Sequence, residues 1–153
     1  MRGTGMGQSD WTKEHLRRYR ESDGADGHIW DGLDGSARFK GNFPTLLLTT
    51  TGRKSQKPRT TPLIYGRDEE NYLVIASRGG RPNHPSWYLN LDANPKVELQ
   101  IIAGIFPAIA STASGANRER LWRIMVKIYP PYDDYQESAS ATREVPLVVF
   151  TPI

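Results

Sequence analysis

The sequence predicts an α+β fold that is mainly β: a small barrel-like sheet of about six antiparallel strands with flanking helices. Three observations point there. Short runs rich in Leu, Ile, Val and Thr recur from residue 44 onward, each bounded by Gly, Pro, Asn or Asp. The stretch KVELQII at 96–102 alternates between apolar and polar, as a half-buried strand does. Apolar residues at helical spacing are confined to a few segments, so strands follow strands instead of alternating with helices.

Each element follows from local chemistry. Residues 1–9 are glycine-rich and are expected to be mobile. DWTKEHLRRYRES, 10–22, reads as a short helix with Asp10 as N-cap and Gly24 as stop; its apolar side is thin, with Trp11, Leu16 and Tyr19. It is expected to pack loosely or to act as a movable lid. The Asp- and Gly-rich stretch 23–36 reads as a connector anchored by Ile29, Trp30 and Leu33. Residues 44–51 and 58–66 form a hairpin around Gly52. Pro62 cannot donate to a ladder, which puts the second strand at an edge or a bulge. RDEEN is a polar turn, NYLVIAS a third strand, and RGGRPNHP a loop. SWYLNLDANP gives one or two helical turns before the strand at 96–102, and IFPAIAST pairs back across Ala103-Gly104. Ser114 caps a helix carrying Leu121, Trp122, Met125, Ile128 and Tyr129 on one side, which Pro130-Pro131 stops. EVPLVVFTPI closes the chain as a strand.

Composition removes several functional classes. With 153 residues the chain fits one domain and has no cysteine, so disulfides, thiolate metal sites and cysteine nucleophiles are excluded. The three histidines are scattered at 15, 28 and 84 without metal-ligand spacing, so no metal is expected. A net charge of +3 falls well short of a nucleic-acid arm. The first residues lack the apolar core of a signal peptide, and the run IIAGIFPAIA is too short to span a bilayer. A cytoplasmic protein is expected, with peripheral membrane contact left open.

Three stretches could carry chemistry. In TGRKSQKPR, Arg53, Lys54, Lys57 and Arg59 crowd around a Gly–Pro turn, with the Ser55 hydroxyl beside them. Such a cluster is either a solvated hairpin tip or an anion site in which Arg binds through paired N–H groups and Lys acts as a point charge. The Walker spacing is absent. In ASRGGRPNHPSWYLNL, Gly79 and Gly80 allow either a tight turn or close approach of a planar ligand. Trp87 and Tyr88 read as core or wall residues, and His84 as a surface residue. In IYPPYDDYQ, Tyr129, Tyr132 and Tyr135 recur every three residues; a phenol there can donate a hydrogen bond or a proton, or simply shield a sheet edge. Asp133 and Asp134 are expected to face water. No GxSxG elbow supports a serine hydrolase.

Taken together, LLLTTTGRKSQKPRTTPLIY, YLVIASRGGRPNHPSWYLNLDANPKVELQ and IYPPYDDYQ resemble the deazaflavin-dependent nitroreductase and quinone reductase family, which uses coenzyme F420. The resemblance spans roughly residues 28–151. It implies a split β-barrel like that of FMN-binding reductases, formed by residues 28–153, with 1–27 as a mobile segment. It implies that Arg53, Lys54, Ser55 and Arg59 take the anionic end of the cofactor, with Thr60, Thr61, Pro62, Leu63 and Ile64 running beside it. Ile75, Ala76, Ser77 and Arg78 would border the deazaflavin ring, and Ser86, Trp87, Tyr88, Leu89 and Asn90 would form the opposite wall. Tyr132 matches the family's tyrosine near ring and substrate, and Tyr65, Tyr129 and Tyr135 are expected to line the pocket. Two departures stand out: Gln56 replaces the usual Gly after the GRKS serine, and Arg78 replaces a frequent Lys.

The implied activity is hydride transfer from reduced F420 to a quinone, nitroaromatic or conjugated enone or lactone, by a monomer or homodimer that needs no nucleic acid. A non-catalytic binder of deazaflavin or another anionic amphiphile, and an FMN-dependent reductase, are the rival readings. A single-stranded nucleic-acid barrel is disfavoured by the modest charge.

Overall fold

The computed structural model describes residues 8–30 and 41–153, with side chains from residue 12 onward. The expectations for the glycine-rich start, the Trp11 side chain and Leu33 lie outside the described residues.

The core of the molecule is an eight-stranded antiparallel sheet. Its strands are β1 (Ile29–Trp30), β2 (Phe43–Thr51), β3 (Pro58–Ile64), β4 (Gly66–Asp68), β5 (Asn71–Ile75), β6 (Lys96–Ile101), β7 (Gly104–Thr112) and β8 (Leu147–Pro152). They run in the order β1-β2-β6-β7-β8-β5-β4, with β3 paired to β2 off that path. No ladder joins β3 to β4 or β5 among the described residues, so the sheet curls into an open, split barrel. β3 is an edge strand, as Pro62 requires; Pro62 faces Leu47 in the register.

Side-chain alternation divides the core into two parts. Val74, Ala76, Val148 and Phe150 point into the barrel with Leu46, Leu48, Val97 and Leu99. Their neighbours Leu73, Ile75 and Leu147 point outward, against Leu121, Met125, Tyr129 and Tyr132. One set of strands thus packs both the barrel interior and the helix layer.

Among the described residues four α-helices flank the sheet: α1 (Gln8–Glu21), α2 (Ser86–Ala93), α3 (Gly115–Ile128) and α4 (Tyr132–Ala139). Several differences from the sequence expectations have local causes. α1 starts ahead of the expected Asp10 cap. It is docked, not loose: Tyr19 is fully buried, and its hydroxyl accepts the Ile102 N–H at 2.8 Å while donating towards Thr45 O at 3.1 Å. The RDEEN turn is tighter than expected, since Gly66–Asp68 already pairs with β5 as β4. Ser114 occupies the N-cap position of α3 without a capping bond from its hydroxyl. Pro130-Pro131 does end α3, but Pro131 also sits immediately before α4, a helix absent from the sequence reading. Proline lacks only an N–H that a helix start leaves unpaired anyway. Among the described residues no helix is long and apolar enough to cross a membrane.

Candidate active site

The basic turn closes the β2–β3 hairpin. Gly52 N–H donates to Lys57 O at 2.8 Å, and Gln56 N–H to Gly52 O at 2.9 Å. Gly52 is required here: a Cβ would lie 2.5 Å from Ser55 Oγ. That hydroxyl already accepts the Lys57 N–H at 3.2 Å, which leaves its own proton to donate. Gln56 sits at φ 60, the left-handed region where glycine is at ease and an L side chain is strained.

α2 fixes this turn. The backbone N–H of Arg53 and its Nη1 both donate to Asn90 Oδ1, at 3.1 and 2.9 Å. Asn90 is buried, and its Nδ2 donates to Thr50 Oγ1 at 3.3 Å. The result is a pocket of about 400 Å³ lined by Arg53, Lys54, Ser55, Arg59, Thr60, Thr61, Ser86, Trp87 and Asn90. Among the described residues no carboxylate lines it. Among the described residues none of its cations is ion-paired within the protein.

A second pocket, of about 320 Å³, adjoins the first; Thr61 and Trp87 line both. Its walls mix aliphatic and aromatic side chains with the polar groups of Thr12, His15, Thr45, Thr61, Ser77 and Arg78. β3 contributes Thr61 to Ile64, β5 and the following turn give Ile75, Ser77, Arg78 and Gly79, and the approach to α2 supplies Pro85 and Trp87. Tyr129, Tyr132 and Tyr135 close one side.

The three tyrosines form a packed cluster. The rings of Tyr129 and Tyr132 are 5.0 Å apart and those of Tyr132 and Tyr135 6.3 Å, both edge-on. The hydroxyls of Tyr129 and Tyr135 lie 3.2 Å apart. Tyr132 is only 5% exposed. Burial, with a smaller effect from Tyr129 and Tyr135, pushes its phenol well above the ordinary tyrosine range. It therefore stays protonated at every physiological pH, able to donate a hydrogen bond but reluctant to release a proton.

Most residues singled out in the sequence meet at these two connected pockets. Four do not. Tyr65 is buried in the barrel, with its hydroxyl 3.0 Å from His28 Nε2. Tyr88 turns its hydroxyl to Thr112 Oγ1 at 2.9 Å. Ala76 is fully buried, and Leu89 lines neither pocket. Conversely, Thr12, His15, Trp30 and Thr45 line the aromatic pocket without having been anticipated. α1 carries two of them. His15 is buried and hydrogen-bonds through Nε2 to Gly27 O at 2.7 Å, while Arg20 Nη2 donates to Thr60 Oγ1 at 2.8 Å. A histidine paired to a connector carbonyl leaves no sequence pattern. The helical spacing of Tyr132, Tyr135 and Ala139 was available as a signal for α4.

The arrangement suits an elongated ligand with a multiply anionic end and a planar ring. Unpaired cations and a hydroxyl donor favour the anion, and the aromatic chamber favours the ring.

Comparisons with known proteins agree with that geometry. Residues 11–152 match the family described as F420H(2)-dependent quinone reductase. A Mycobacterium tuberculosis (strain H37Rv) protein named as an F420H(2)-dependent quinone reductase is 40% identical over 140 residues, covering 90% of this chain and 87% of the relative. The solved structure of an F420-H2 dependent reductase superposes with a TM-score of 0.64 at 41% identity, covering 70% of this chain and 93% of that one. Another solved chain, described as a domain-swapped dimer, gives a TM-score of 0.67 at 36% identity, covering 94% of this chain and 99% of that one.

Proposed function

The chain belongs to the F420H(2)-dependent quinone reductase family, an oxidoreductase family whose cofactor is reduced coenzyme F420, and from that premise we propose how its residues serve the reaction and what it reduces. The acceptor is a quinone, with nitroaromatics and conjugated enones or lactones as further substrates of the same electron-poor, planar kind. The observation that carries this reading is the junction of a cationic pocket with an aromatic one at Thr61 and Trp87.

Arg53, Lys54, Ser55 and Arg59 hold the anionic end of the cofactor, with Asn90 keeping Arg53 in place. Lys57 adds to the potential of the turn. Thr61 to Ile64, Ile75, Ser77 and Arg78 border the ring, and Trp87 bounds it where the two pockets meet. When bound, F420H2 supplies the hydride. Pro62, Leu63, Ile64, Trp87 and the three tyrosines shield the reacting face from water. Tyr132 donates a hydrogen bond to an oxygen of the acceptor and orients it, and the proton comes from solvent, because the buried phenol holds its own too tightly. Tyr129 and Tyr135 set the position of Tyr132 from either side. His15 and Thr12 of α1 close the chamber opposite.

The test is to follow loss of F420H2 absorbance with and without menadione. Acceptor-dependent oxidation supports the enzyme; tight binding of F420 without turnover would identify a carrier instead.

A further inference from the structure

Arg143 lies between α4 and β8 and lines neither pocket. Its guanidinium nevertheless commits every nitrogen to the loop that does. Nη1 donates to Ala76 O at 2.9 Å, Nη2 to Ser77 O at 2.7 Å, and Nε to Arg81 O at 3.0 Å. Nη1 also meets His84 Nδ1 at 2.9 Å. A guanidinium has no acceptor, so His84 Nδ1 is the unprotonated nitrogen and the imidazole is neutral, with its proton on Nε2.

The loop held in this way, residues 76–85, supplies Ser77, Arg78, Gly79 and Pro85 to the aromatic pocket. It carries Arg78, Gly79 and Gly80 in succession at positive φ, a conformation that Arg78 adopts only against steric resistance. Such a conformation persists where the surroundings over-determine it. On the far side Gly80 rests on α4: a Cβ there would lie 3.0 Å from Tyr135 Cα and 3.1 Å from Ser138 Cβ. The loop is clamped between α4 and the Arg143 side chain.

We propose that Arg143 is a positioning residue for this reductase: it locks the carbonyls of Ala76 and Ser77, and through His84 the approach to Pro85, so that Ser77 to Gly79 present one fixed wall to the deazaflavin ring. The inference rests on the reading that this pocket receives the ring.

The Arg143–His84 bond, one of the four that make the clamp, forms only while His84 is neutral. The charged and titratable groups around His84 are Arg143, with Arg78 beyond it, and Asp92 and Tyr88 on α2, the Tyr88 ring being 4.9 Å away. Burial and then the Arg143 charge hold the imidazole below its ordinary range, against the pull of Asp92. Protonation would set two cations at hydrogen-bond distance with no acceptor between them.

The test titrates oxidised F420 into the full chain, followed by quenching of tryptophan fluorescence, at several salt concentrations and from about pH 7.5 to 5. Absence of binding by the unsubstituted protein overturns the parent reading. Binding by that protein with an unchanged constant in Arg143→Lys overturns the clamp alone. The expected result for Arg143→Lys is binding weakened about tenfold, with the salt slope unchanged because the basic turn is intact. Full binding by Arg143→Lys, with weakened binding and a changed salt slope in Arg143→Gln, would mean that Arg143 acts through its charge alone and would also overturn the clamp. His84→Asn offers Oδ1 where Nδ1 stood; it should bind normally at neutral pH and lose the acid weakening seen in the unsubstituted protein. Persistence of that weakening in His84→Asn overturns the role of His84. The His84 variant keeps the acceptor, so it decides the matter even where Arg143→Lys fails to fold.

Discussion

The backbone amide and the guanidinium of Arg53 converge on one carboxamide oxygen, Oδ1 of Asn90, at 3.1 and 2.9 Å. A residue of α2 thereby sets the direction of a cation on a hairpin turn 37 positions away in the chain. Both residues line the cationic pocket, so the contact ties one of its walls to α2.

Asn90→Ala removes the shared acceptor and leaves the buried Thr50 hydroxyl without its donor. Loss of these bonds should cost about 1–3 kcal/mol of stability. It should also raise the F420 dissociation constant while leaving turnover at saturating cofactor nearly unchanged. Urea denaturation and a fluorescence titration measure the two effects; an unaltered dissociation constant would remove Asn90 from the binding machinery.

Lys54→Ala takes one exposed cation from the basic turn. Attraction between solvent-exposed charges is screened as ionic strength rises. The variant should bind F420 more weakly at low salt and lose less affinity on going to high salt. Parallel salt dependences for the two proteins would contradict an electrostatic role.

Gln56→Gly tests the strained turn. Relief of the left-handed φ should return about 1–2 kcal/mol, offset by about 0.4–1 kcal/mol for the more flexible unfolded chain. The exposed bond from Gln56 Nε2 to Arg53 O, at 3.3 Å, adds little. A net gain of about 0.5–1 kcal/mol is expected in chemical denaturation, the balance of those two contributions. A destabilised variant would show that the side chain holds the turn.

Tyr132→Phe keeps the ring packing and deletes the hydrogen-bond donor. Turnover should fall by about tenfold or more, the scale of one lost charge-assisted or oriented hydrogen bond, with cofactor affinity preserved. The phenol ionises only far above the ordinary tyrosine range, so the protein's rate should show no tyrosine-like ionisation step up to about pH 10. Such a step, lost in Tyr132→Phe, would show the phenol acting as an acid.

Much of this site was legible in the chain. Four cations within residues 53–59 read as either a solvated hairpin tip or an anion site, since charges so close repel one another; the resemblance favoured the second. Alternation in KVELQII and the Pro62 constraint gave the strand class and the edge position. The triplet spacing of Tyr129, Tyr132 and Tyr135 announced a cluster, though not that α4 carries two of them. The resemblance joined these parts into one cofactor site. Tyr65 shows the limit: it adjoins the residues of β3 that line the pocket, yet it faces His28 inside the barrel. Thr61 to Ile64 line the pocket consecutively, so where that lining stops is set by the fold and not by position in the chain.

By itself the sequence determined a mainly β chain with a cationic turn and a run of spaced tyrosines, and its resemblance to a known family supplied the anionic redox cofactor. Periodicity and charge density are local properties, and they survive in a linear reading. Only the tertiary structure decided that Asn90 steers Arg53, that α1 brings His15 to the pocket, and that Arg143 grips the loop from 76 to 85. Each of these is a bond between residues far apart in sequence, made because folding removes water and leaves a polar group to find the partner that the fold places within reach.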